Sequence, residues 1–247
     1  MFPMFPYDPQ LLATLASPPN SIPDVLAAME AIDGLTTDGD GLKWFNWLYW
    51  QVTQAVEARV AQSAGEGGFA DPAFLAALDV QFARLYFSAL GNSLSGGSVP
   101  DCWQAFFSQR GEVALGRIQF AMAGINAHIN HDLAMALVAT CGQLGLAPQH
   151  GTAQYADYTA LNSTLEGLIE EAKTTLHVRL LGDALPAVSS LEDALAAWSV
   201  AAAREAAWNN AELLWHLRPE PGLTAAFLDT LDGLASVVGQ ALLIPVP

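Results

Sequence analysis

The chain has 247 residues, 52% of them hydrophobic and only 14% charged, with a mean hydropathy of +0.29, which is enough apolar material for one large core. Nine Lys and Arg stand against 25 Asp and Glu, a formal net charge of −16, so phosphate backbones and anionic lipid surfaces are repelled and nucleic-acid binding is not expected. The two cysteines, Cys102 and Cys141, lack CxxC spacing and suggest neither a disulfide framework nor a thiolate metal site.

The start, MFPMFPYDPQ, has neither a basic region nor a continuous apolar run, so no signal peptide is expected. Residues 1–20 are rich in Pro with Phe2, Phe5 and Tyr7 interspersed, and they read as an extended arm whose rings dock on the body. Residues 21–247 read as a single domain; a division near Ser93 to Pro100 is the alternative.

Ser21, with Pro23 behind it, opens a helix through about Ile32. After the break at TTDGDG, a helix from Leu42 to about Ala64 carries Trp44, Trp47 and Trp50, with Phe45, Leu48, Tyr49 and Val52 beside them. Such a stripe is ordinary core, yet this many large rings also suits the wall of an apolar ligand pocket. Asp71-Pro72 restarts a helix through Phe82, Tyr86 and Leu90, with Asp79 and Arg84 as interior charges. The run GNSLSGGSVPD is a linker, and Asp101 caps a short segment holding Trp103, Phe106 and Phe107.

A central helix is expected over 112–143. Met122, Ile125, Ile129, Leu133, Ala136 and Leu137 form one apolar stripe at 100° per residue, and Ala123, Ala127, Ala134, Met135 and Val138 make the opposite face apolar too. A rod apolar nearly all round is buried. Its most apolar window is unsuited to lipid because of its Asn, His and Asp residues, so no membrane span is expected and the cytoplasm is the expected location. Into this rod are set Asn126, His128, Asn130, His131 and Asp132. A buried polar group without a partner costs about 1–3 kcal/mol, so five in seven residues require an explanation. Asn126/Asn130 and His128/Asp132 are i,i+4 pairs at opposite edges of the stripe, with His131 on a face of its own.

Beyond the central rod, Thr152 or Asp157 starts a helix reaching about Leu181, with Glu166, Glu170 and His177 along it. Ser189 or Ser190 caps a further one through Arg204 and Trp208 to about Leu217, and a last amphipathic helix runs from Leu223 to about Leu243. No period-2 segment occurs. The expected fold is all-α: a single bundle of about eight helices around the buried central one.

The run Asn126, Ala127, His128, Ile129, Asn130, a variable residue, Asp132 and Leu133 resembles the signature of a bacterial, mainly actinobacterial, all-α family of unknown function. Asp40-Gly41 with Phe45, Tyr49, Val52 and Thr53, Leu78-Asp79 with Phe82, Ala83 and Tyr86, Trp103, Asp157 with Asn162, and Arg204 with Trp208 resemble it in the same order, across about residues 20 to 215. The resemblance implies that position 131 is variable, and it brings no reaction with it.

Three functions fit these residues. In the first, a small-molecule enzyme or binding protein uses His128 and Asp132 as an acid–base pair for isomerase, cyclase or hydrolase chemistry. An apolar substrate would then be bound by Asn126, Asn130, Tyr49, Tyr86, Trp47, Arg204 and Trp208, with no cofactor. In the second, a metal-dependent hydrolase or oxygenase uses His128 and Asp132 as ligands to a divalent metal, completed by Asp79 or His177, with Glu166 and Glu170 as other donors, although no ExxH or HExxH motif occurs. In the third, the polar set is a structural network, with Arg204 reaching Asp132 or Asp79 as a buried ion pair. Several apolar helices are compatible with a homodimer.

Overall fold

The computed structural model describes residues 5–176 and 198–245. Its elements are α1 (Asp8–Thr14), α2 (Ile22–Leu35), α3 (Gly41–Val60), a 3₁₀ turn (Ala64–Glu66), α4 (Pro72–Ser95), α5 (Asp101–Phe107), α6 (Arg117–Ala127), a π turn (His128–Asp132) and α7 (Leu133–Leu144). They continue with α8 (Ala153–Ala160), α9 (Asn162–Leu176), α10 (Val200–Leu217) and α11 (Pro221–Leu242). No strand occurs among the described residues, so the all-α bundle expected from periodicity is the fold.

Helix starts follow from side chains that accept otherwise orphaned N–H groups. Ser21 accepts from Asp24, Asp40 from Leu42, Asp71 from Phe74, Thr152 from Tyr155 and Ser199 from Ala202. The expected eight helices merge segments that the structure separates. A turn at Leu161 divides α8 from α9, and the caps expected at Ser189 and Ser190 lie outside the described residues. Asp101 is the first residue of α5, after Pro100, rather than its cap.

The arm differs from expectation. It is not extended throughout: residues 8–14 form α1, because Pro9 suits a first turn and the Asp8 carboxylate accepts the Phe5 N–H at 3.0 Å. Its rings do dock: Phe5 stacks on Tyr7, and Arg110 lies over Phe5 at 4.9 Å. Phe2 lies outside the described residues.

The central rod is α6, the π turn and α7. It begins at Arg117 rather than near Glu112, after turns that end where Gln119 Oε1 accepts the Gly116 N–H at 2.9 Å. Every residue from Ile118 to Ala127 is buried. Helix α6 packs on α3 and α11, and α7 packs on α4 and α10. The α3–α6 approach is reciprocal: a Cβ on Gly41 would overlap the Phe120 ring, and one on Gly124 would overlap the Phe45 ring. Each helix thus offers a bare backbone where the other places a phenyl group, which brings α3 close enough to surround the π turn with rings. Helix α4 is long and apolar enough to cross a membrane, and 56% of its apolar window is buried in the bundle, as in a core helix.

Candidate functional site

At residues 128–132 the rod changes its hydrogen-bond period. The Leu133 N–H reaches the His128 carbonyl, one residue further back than in an α-helix. Within this turn the His131 imidazole reaches the carboxylate of the next residue, Asp132. On a straight helix it would have a face to itself; in the π turn it shares one with Asp132.

Asp132, 2% exposed, becomes the hub. Its Oδ2 lies 2.9 Å from His128 Nδ1 and accepts the Trp103 indole N–H at 2.9 Å, while Oδ1 lies 2.7 Å from His131 Nδ1. Burial raises the pKa of Asp132, but the hydrogen bonds from the two imidazoles outweigh it, and the net direction is down. Burial is also the largest influence on His128, and here it wins over Asp132, so His128 is pushed toward its neutral form. His131 goes the other way. Burial lowers it, yet the Asp132 hydrogen bond and the Asp132 and Asp232 charges together raise it.

Five rings enclose His128. Phe82 lies flat on the imidazole with centroids 3.4 Å apart and planes within 4°, and Tyr49 approaches edge-on at 4.5 Å. Phe45, Trp103 and Tyr86 stand at 5.8, 5.9 and 6.2 Å. Inside this cage His128 Nε2 and the Tyr49 hydroxyl are buried and have no hydrogen-bond partner. The Tyr86 hydroxyl donates to Asn46 Oδ1 at 3.4 Å.

The structure thus brings His128, Asp132, Tyr49 and Tyr86 together, and leaves other expected residues elsewhere. Asn130 donates to Asn126 Oδ1 at 2.9 Å, and Asn126 donates to the Ala235 carbonyl at 2.7 Å, so this pair ties the rod to α11. Trp47 is half-buried at the core edge, because the stripe of α3 that faces the rod is Phe45 and Tyr49, one turn apart. Arg204 reaches neither Asp132 nor Asp79. Its guanidinium donates to Asn162 Oδ1 and to the Tyr158 carbonyl, both at 2.8 Å, and lies 3.9 Å over the Tyr158 ring. Trp208 packs beside it on Phe74, Tyr155 and Tyr158. These two residues tie α10 to the α8–α9 corner.

Asp79 is buried on α4 with Oδ2 unpartnered, and burial, with Glu57 adding to it, raises its pKa to about 8. Its charge and that of Asp132 add to the burial that raises Tyr49, so Asp79 lies within electrostatic reach of the cage. His177 lies outside the described residues. Since both Asp132 oxygens are occupied by hydrogen bonds, the expected His128/Asp132 ligand pair would have to break that hub to hold a metal.

Sequence reasoning missed the outer side of the hub. Asp232 of α11 accepts the N–H groups of Asp101 and Cys102 at 2.7 and 2.8 Å, across 130 residues or more of chain, and Cys102 and Asp232 face His131. No local spacing could reveal a pairing so distant. Next to it, a polar cleft of about 570 Å³ is lined by Asp101, Gln104, Ser236 and Gln240 among others. Neither this cleft nor those of about 550 and 700 Å³ elsewhere is lined by His128.

An all-α bundle built on a rod interrupted by a π turn that carries a buried polar hub is what the fold and site define. Residues 22–245 match the DUF5995 family, a family of unknown function, and the chain belongs to it. Comparison with curated proteins and with solved structures gave no match.

Proposed function

We propose that the chain is a small-molecule enzyme or binding protein in which His128 and Asp132 act as an acid–base pair inside the aromatic cage, with isomerase, cyclase or hydrolase chemistry. The observation that carries this reading is the pair of buried, unpartnered polar atoms, His128 Nε2 and the Tyr49 hydroxyl. Each costs about 1–3 kcal/mol as it stands, and a guest hydroxyl would satisfy both, donating to Nε2 and accepting from the Tyr49 hydroxyl. With Nδ1 committed to Asp132, Nε2 is the atom that would take or return the guest's proton, and Asp132 would hold the ring and stabilise its charged form. The five rings favour an apolar guest. Phe82, flat on the imidazole, is the ring that it would displace.

The same proposal includes a cytoplasmic location, a bacterial and mainly actinobacterial distribution, no nucleic-acid or membrane partner, and a homodimer. The competing reading, a structural network, is favoured by how fully the rings fill the space around His128.

A thermal-shift series with cyclohexanol and p-cresol decides between them, using wild type, Phe82→Ala and His128→Gln. A guest site predicts stabilisation of wild type, more in Phe82→Ala, and none in His128→Gln. No shift in either wild type or Phe82→Ala would sink the guest reading and leave the network.

A further inference from the structure

We propose that Cys102, His131 and Asp232 form a binding site for a divalent transition-metal ion, with zinc the best match to the donors. The sulfur, an imidazole nitrogen and a carboxylate oxygen lie within 4.8 Å of one another, supplied by α5, the π turn and α11. Tetrahedral zinc at ordinary bond lengths wants its donors roughly 3.5 Å apart, so a small inward rotation of the side chains completes the site. A thiolate and an imidazole select a borderline-soft ion over magnesium or calcium.

Two features outside the donor set support this. His131 Nδ1 is held by Asp132 at 2.7 Å, which leaves Nε2 as the coordinating atom and reproduces the carboxylate–histidine pairing that orients metal-bound imidazoles. Asp232 is pinned by two backbone N–H groups at the start of α5. Burial, a hydrogen bond to Asp232 and the acidic charges of Asp132 and Asp232 hold the Cys102 thiol protonated until an ion arrives. A doubly charged ion balances one thiolate and one carboxylate, and its binding sends the thiol proton to solvent.

Three protein donors leave a fourth position for water or substrate, the pattern of a catalytic rather than a structural ion. That position has an outlet: the walls of the 570 Å³ polar cleft include Asp101, adjacent to Cys102, and Ser236, one turn beyond Asp232. The site uses no cage atom and meets the acid–base pair only through Asp132, so the two readings can fail separately.

The test uses the full chain, stripped with a chelator and titrated with Co²⁺, then with competing Zn²⁺. The site predicts one ion per chain, a sulfur-to-cobalt charge-transfer band in the near ultraviolet, and its displacement by zinc. Cys102→Ser removes the band. Asp232→Asn and His131→Gln weaken binding at least as much as the roughly 10- to 100-fold expected when an outer carboxylate is lost in Asp132→Asn. Cys141→Ser, at the other buried cysteine, keeps both the band and the wild-type affinity. Absence of stoichiometric binding, a cobalt complex without the sulfur band, or unchanged affinity in His131→Gln would each overturn the site.

Discussion

Two buried carboxylates in this molecule are built differently. Asp40, fully buried, caps α3 through the Leu42 N–H, accepts Arg110 at 2.6 and 3.0 Å and the Tyr7 hydroxyl at 3.0 Å, and shares Arg110 with Asp8. A permanent cation balances it, and no fully buried polar atom in that network lacks a partner. Asp132 is as deeply buried but is met by an indole and by two imidazoles, whose protons can move, and its network ends in an unpartnered nitrogen on one side and a thiol with a second carboxylate on the other. The Asp40 set closes on itself and pins the N-terminal arm to the body. The Asp132 set is open at both ends, which is what chemistry or ligand binding needs and stability does not.

This contrast can be broken by mutation. The largest effect is expected at Asp40→Ala, which leaves Arg110 with Asp8 as its one remaining carboxylate and removes a cap, at about 3–5 kcal/mol in urea unfolding. Asp132→Asn, which keeps shape and loses charge, should cost about 1–3 kcal/mol. Equal losses for the two variants would mean that both networks are structural.

Asp79 gives a pH-dependent test of the cage's surroundings. Its carboxyl ionises near 3.8 in the unfolded chain and near 8 when folded, so between those values the folded state holds a proton that the unfolded state has released. Stability therefore falls as pH rises through that window, by about 1.4 kcal/mol per unit, and levels off above it. Asp79→Asn removes this dependence: variant and wild type should be alike at the acid end and diverge in the variant's favour toward the upper value. A gap that does not change with pH would show that the buried carboxyl is not held neutral.

The smallest effects sharpen the comparison atom by atom. Tyr7→Phe deletes a hydroxyl bonded to Asp40 and should cost about 1 kcal/mol, whereas Tyr49→Phe deletes one with no partner and should be neutral or slightly stabilising. In the guest reading, Tyr49→Phe also weakens the cyclohexanol shift, which a passive hydroxyl would leave unchanged.

Helix identity was readable along most of the chain because it rests on local rules. Apolar residues at helical spacing mark the buried rod, and Ser21, Asp71 and Thr152 mark starts that their own side chains secure. The His128–Asp132 contact was readable for the same reason, being one helical turn long. Where a competing local interaction intervenes, the reading shifts: α1 forms in a stretch that looks extended, and the rod begins at Arg117 after turns that look helical.

By itself the sequence determined an acidic, apolar, all-helical chain with an imidazole and a carboxylate paired inside its central rod, since composition and i,i+4 spacing are properties of neighbours. Only the tertiary structure decided that the rod takes a π turn, that His131 joins Asp132, that Arg204 serves the α8–α9 corner, and that Cys102 meets Asp232. Those outcomes depend on which helix faces pack together, and the pairings of Arg204 with Asn162 and of Cys102 with Asp232, 42 and 130 residues apart, are distances that no periodicity along the chain encodes.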